Sequence, residues 1–217
     1  MTRINWIIAL TATFVLALVV ADLAATKQAL LLGATIPGGV FLFSVIFVVR
    51  DALHRAAGAA FVKRVIWIGA ALNLLAALYL WVIARLEPAP FFELNEPWAQ
   101  IFSMAPGIVI GSVAAAVSSQ LVSTALFQRL TDRGYPLWWR VIGSNLASLP
   151  IDGVVFTVVG FVVLPHVFGG PSLELAEAAA RLASGQTLVK LATVVVMTPV
   201  VYLTPALERH QQPLPHV

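Results

Sequence analysis

Charged residues punctuate this chain so sparsely that its elements can be read by subtraction. Ile4 to Ala21, Gln28 to Val49, Val65 to Ala84 and Pro97 to Gln128 contain no Asp, Glu, Lys or Arg. Val141 to Leu164 is broken only by Asp152, and Thr187 to Leu207 only by Lys190. A helix needs about 20 mostly apolar residues to cross the hydrocarbon core of a bilayer. The pattern therefore predicts an all-α, polytopic membrane protein with six transmembrane helices, over roughly 4–24, 37–55, 64–84, 101–129, 140–164 and 186–207. Residues 1–217 read as a single integral membrane domain. The first apolar run is longer than a signal-peptide core and reads as a retained span. Ile36-Pro37-Gly38-Gly39 reads as the start of the second helix, with Pro37 in its first turn. Pro171 to Ser184 reads as a short amphipathic helix lying at the interface.

Composition narrows the class. Hydrophobic residues make up 60% of the chain and charged residues 11%, against about 25% charged in ordinary soluble domains. This excludes a soluble enzyme, a disordered regulator and a nucleic-acid-binding domain. The formal net charge of +3 is a small excess on a nearly uncharged body, suited to loops beside anionic lipid. With no cysteine, the chain has no disulfides, thiolate metal sites or Cys nucleophiles. The four histidines are scattered at or beyond helix ends, and no metal site, cofactor motif, nucleophile elbow or phosphate loop is evident. The chain does not read as an enzyme.

Lys and Arg set the orientation. With six spans, the N-terminus, the second and fourth connections and the C-terminus share one side. That side holds nine of them: Arg3, Arg50, Arg55, Lys63, Arg64, Arg129, Arg133, Arg140 and Arg209. The other side holds Lys27, Arg85 and Arg181. Both termini of this multi-pass protein are expected in the cytoplasm.

Ionisable residues within spans are costly and mark function by default. Asp152 and Lys190 are the two clear cases, and their opposite charges on the last two helices invite pairing. Asn145, Ser148, Asp152 and Phe156 recur at helical spacing and share one face. Gln120 lies among Ser118, Ser119, Ser123 and Thr124 on the fourth predicted helix. Such residues also serve close helix packing. Asp51 and Arg55 stand at i,i+4, the favourable order for an ion pair, and read as an interfacial anchor or as part of a gate or pocket. Trp138-Trp139 falls where an aromatic belt is expected.

Several stretches in order resemble a known family. They are ADLAATK from Asp22, IPGGVFLFSVIFVVRD with the following HRAAG, and SSQLVSTALFQRLTDRGYPLWWR. A polar run to Asp152, then FTVVGF, and a last helix with Lys190, Pro199 and Tyr202 complete the set. The chain resembles the bacterial VUT family of queuosine precursor transporters. Asp22, Ser44 and Ser123 stand where that family tends to have Asn, Pro and Asp. The resemblance implies import of 7-cyano-7-deazaguanine or 7-aminomethyl-7-deazaguanine across a bacterial cytoplasmic (inner) membrane. The implied substrate-binding residues are Asp152, Lys190, Gln120, Asn145, Phe156 and Asp51. Asp152 would accept the ring N–H and exocyclic amine of a guanine-like edge, and Phe156 would stack on the ring. The implied partners are a small-molecule substrate and the lipid bilayer, with room for a homo-oligomer or an energising partner. Two other readings keep the same spans. One is a substrate-capture subunit of a vitamin-type transporter that needs a separate ATPase module. The other is a structural membrane protein in which Asp152 and Lys190 only hold the bundle.

Overall fold

The computed structural model describes residues 2–31, 33–164 and 177–204. Its elements are α1 (Arg3–Ala25), β1 (Gln28–Leu31), β2 (Ala34–Pro37), α2 (Val40–Ile83), α3 (Asn95–Asp132), α4 (Leu137–Thr157) and α5 (Glu177–Tyr202). A π-helical segment, Val158–Val163, extends α4, and the Leu164 amide donates to Val159 O at 3.0 Å. Among the described residues, five helical stretches are long and apolar enough to cross a membrane.

The surface is apolar, and the interior holds charged and polar groups among its apolar core. Ile4, Leu16, Trp67, Leu75, Leu78, Leu188 and Val196 point outward, while Asp22, Arg50, Asp51, Asn73, Asn145, Asp152 and Lys190 are buried. Water would not tolerate that distribution, whereas lipid requires it, because polar groups in hydrocarbon must find partners within the protein. The chain is a multi-pass membrane protein on these grounds.

The separate helices expected over 37–55 and 64–84 form one helical run in the structure. α2 has 44 residues and is broken only at Gly58, where φ is 82° and ψ 169°. The connecting residues are helix-forming alanines, so nothing but glycine interrupts the run. Straight, it would extend about 66 Å, roughly twice the hydrocarbon thickness. It is not straight. Gly39, at its start, packs on Ala21 near the C-terminal end of α1. Ala56, the next-to-last residue of the first arm, accepts a bond from Arg3 Nε at the other end of α1, at 2.9 Å. Asn73, in the second arm, returns to Asp22 near the first end. The two arms, 40–57 and 59–83, therefore run antiparallel, and the chain reverses at Gly58. That combination of φ and ψ is open almost only to glycine. Gly58→Ala is expected to cost about 1–3 kcal/mol, read as a lower Tm of the purified protein.

The end of the bundle at Gly58 gathers the other termini. Arg55 Nη1 donates to Val201 O at 2.8 Å, near the C-terminal end of α5. His54 Nε2 bonds Gln128 Oε1 of α3 at 2.9 Å. The Trp138 amide donates to the Tyr202 hydroxyl at 3.1 Å. Trp138 and Trp139 are both exposed, as a membrane-interface belt requires.

At the opposite end, β1 and β2 form a short antiparallel hairpin in register Gln28↔Pro37 through Leu31↔Ala34, and β2 lies against α5. This corrects the reading of Pro37 as a first-turn helical residue. Pro37 ends a strand, and α2 begins after it with Gly39 as its N-cap. The hairpin turns through Gly33, at φ 81°, and eight strand residues are too few to stand out in an apolar run. The interfacial helix expected over 171–184 falls only partly on described residues. Residues 177–184 are the first turns of α5, and 171–176 lie outside the described residues, as do 205–207 of the last expected span.

Candidate functional site

The face of α4 read from the sequence is a buried face. Asn145 and Ser148 are fully covered, and Asp152 and Phe156 are 5% and 2% exposed. Gly153 beside them has no side chain because α5 leaves no room. A Cβ there would lie 2.5 Å from Thr187 Oγ1. That close crossing brings Lys190 to Asp152.

Lys190 Nζ donates to Asp152 Oδ2 and, at 3.0 Å, to Gln186 Oε1 one turn earlier on α5. The other carboxylate oxygen, Oδ1, accepts from Ser119 Oγ of α3 at 3.0 Å. Gln186 is fixed in turn by Gly153 O at 3.2 Å and Thr157 Oγ1 at 3.1 Å. The ring of Phe43, from α2, has its centroid 5.2 Å from the ammonium, and that of Phe156 is at 6.0 Å. These separations are within cation–π range. The result is an ion pair walled by aromatic rings, which α2, α3, α4 and α5 all help to build.

Asp51 and Asn145 form a second cluster. Asn145 lies two turns before Asp152 on the same helix face, about 10 Å along the axis. Asn145 Nδ2 donates to Asp51 Oδ2 at 2.7 Å, and Arg50 Nη2 bridges Asp51 Oδ1 at 2.6 Å and Asn145 Oδ1 at 2.8 Å. The expected Asp51–Arg55 pair is not formed. Asp51 is fully buried, not interfacial, and Arg55 instead caps the α5 carbonyl of Val201. Arg50 and Asn145 offer Asp51 several bonds in a buried position, and a partner one turn along its own helix cannot compete with that.

Gln120 points elsewhere. It lines a void of about 10 Å³ together with Phe14, Leu18, Ile66 and Ala70, on the side of α3 that faces α1 and the second arm of α2. Its Oε1 has no hydrogen-bond partner, nor do the buried hydroxyls of Ser123 and Thr124. The structure thus joins Asp152, Lys190 and Phe156 in one site and Asp51 and Asn145 in another. Gln120 stands apart, one residue after Ser119.

Phe43, Arg50, Ser119 and Gln186 were not singled out from the sequence as site residues. Gln186 carried a legible signal. It lies four residues before Lys190, so any helix through both puts them on one face. Arg50 is masked by its place in a basic run, where a solvated role is the simpler reading.

The match to known families decides the class. Residues 37–204 match the model of a family described as "putative vitamin uptake transporter". The chain belongs to this vitamin uptake transporter family. The match covers every element from the end of the hairpin to the end of α5, including both ion pairs. No curated protein and no solved structure matches the chain. Family membership makes transport of a small molecule the role in which this vitamin uptake transporter's buried charges are to be understood.

Proposed function

We propose that the protein imports queuosine precursors, 7-cyano-7-deazaguanine and 7-aminomethyl-7-deazaguanine, across a bacterial inner membrane. The observation that carries this reading is the Asp152–Lys190 pair enclosed by Phe43 and Phe156. A carboxylate can accept the ring N–H and exocyclic amine of a guanine-like edge side by side, and an aromatic wall suits a flat ring. Lys190 holds Asp152 in the empty protein, so substrate binding exchanges one set of charge-assisted bonds for another. A solute lacking that edge leaves the carboxylate and ammonium poorly matched, which costs affinity and gives selectivity. Asp51, Asn145 and Gln120 are assigned to the path or the wider pocket.

The same reading gives six spans, one for each of α1, α3, α4 with its π segment, and α5, and two for the arms of α2. The end that gathers Arg3, Arg55 and the α3–α4 turn then faces the cytoplasm by the positive-inside rule.

Expression in a bacterium that neither makes nor imports these precursors tests the reading. With each deazaguanine supplied at low concentration, queuosine is expected to reappear in the tRNA. Absence of queuosine, with the protein confirmed in the membrane, would contradict unaided import of this cargo. Restoration only upon co-expression of an ATPase module would favour the capture-subunit reading.

A further inference from the structure

Among the described residues, the buried acids are Asp22, Asp51 and Asp152, and the buried Lys and Arg side chains are Arg50 and Lys190. Asp51 is matched by Arg50 and Asp152 by Lys190. Asp22 has no such cation. It lies one turn before the end of α1 and is 2% exposed. Its Oδ2 accepts a bond from Asn73 Nδ2 in the second arm of α2, the Ser112 hydroxyl of α3 lies beside the carboxylate, and Oδ1 makes no well-formed hydrogen bond. The charges that reach it are those of Asp152 and Lys190, which oppose each other. A carboxylate left this way inside a membrane protein is costly, and an amide would fill the same space at less expense.

We propose that Asp22 is the subsite for a protonated amine carried by the transported molecule. The inference rests on the importer reading above and adds a substrate class to it: a flat heterocycle with a cationic side chain. The ring would sit at Asp152 and Phe156, and the amine would reach the carboxylate of Asp22 beside the Ser112 hydroxyl. Ser112, beside Asp22, and Ser119, bonded to Asp152, lie two turns apart on α3, about 10 Å along the axis, a span that one such molecule can bridge. Of the two deazaguanines, the aminomethyl compound carries that charge and the cyano compound does not. A proton alone would neutralise Asp22 without distinguishing them.

Competition between the two compounds for uptake by the full chain in liposomes tests this. Wild type is expected to prefer the aminomethyl compound by about tenfold to a hundredfold, the span of one charge-assisted hydrogen bond. Asp22→Asn is expected to bring that ratio to about one. A ratio near one in wild type, a ratio that survives in Asp22→Asn, or a folded variant that takes up neither compound would each overturn the proposal. Uptake of neither compound by wild type would sink the cargo reading instead, and a ligand-free measurement then decides on Asp22. If the carboxylate is held for a ligand, Asp22→Asn raises the Tm of the empty protein, by about 2–4 °C. An unchanged or lower Tm would mark Asp22 as structural and overturn the assignment.

Discussion

Lys190→Met is expected to abolish uptake and to remove most of the folded protein from the membrane. The variant leaves Asp152 with the single bond from Ser119 and no counter-charge in a buried position. Breaking a buried pair by removing one partner costs about 3–5 kcal/mol, a large part of the whole stability of an ordinary protein. Gln186 loses its bond to the ammonium as well, which loosens the contact of α5 with α4 at Gly153. The double variant Asp152→Asn/Lys190→Met behaves differently. It removes both charges, and a neutral pair of similar size in place of a buried ion pair is often neutral or stabilising. Folded yield should return to near the wild-type level while uptake stays absent. Size-exclusion profiles of the solubilised protein report the first and uptake assays the second. A purely structural pair would predict recovery of both.

Gly39→Ala is expected to be nearly as damaging, for a steric reason. A Cβ at Gly39 would lie 2.0 Å from the carbonyl oxygen of Ala21, a backbone atom that no rotamer change can move. The start of α2 must then move away from α1. The expected loss is about 3 kcal/mol or more, the upper end of overpacking costs. The shift also separates the elements that hold Asp22 and Asn73 together. Gly33→Ala is the useful contrast, since a Cβ there meets nothing within 4 Å and only the φ of 81° opposes it. A thermal-unfolding series should therefore rank Gly39→Ala well below Gly33→Ala. Equal losses would show that the contact of α1 with α2 is looser than its geometry.

The parts of this protein that were legible in its sequence are those where scarcity carried information. Two charges within otherwise apolar runs identified Asp152 and Lys190, and helical spacing put Asn145, Asp152 and Phe156 on one face. The structure pairs the first two and buries the whole face. Where several local rules compete, sequence reading was weaker. Asp51 had an i,i+4 partner in Arg55, but Arg50 and Asn145, the latter from a distant helix, outbid it. Gly58 was a single glycine among alanines, with nothing to announce that the chain reverses there. The separation of Gln120 from Asp152 depends on how α3 is rotated against α1, which spacing along one helix does not determine. The hairpin between α1 and α2 escaped notice because it is shorter than the apolar run that contains it.

The central claim is that the Asp152–Lys190 pair is a substrate site and not merely a strut. Its most direct test is uptake of labelled 7-aminomethyl-7-deazaguanine into liposomes containing only this chain, wild type against the folded Asp152→Asn/Lys190→Met double variant. Saturable uptake by wild type and none by the double variant is the predicted result. Equal uptake by both would contradict the claim and leave the pair as a structural tie between α4 and α5.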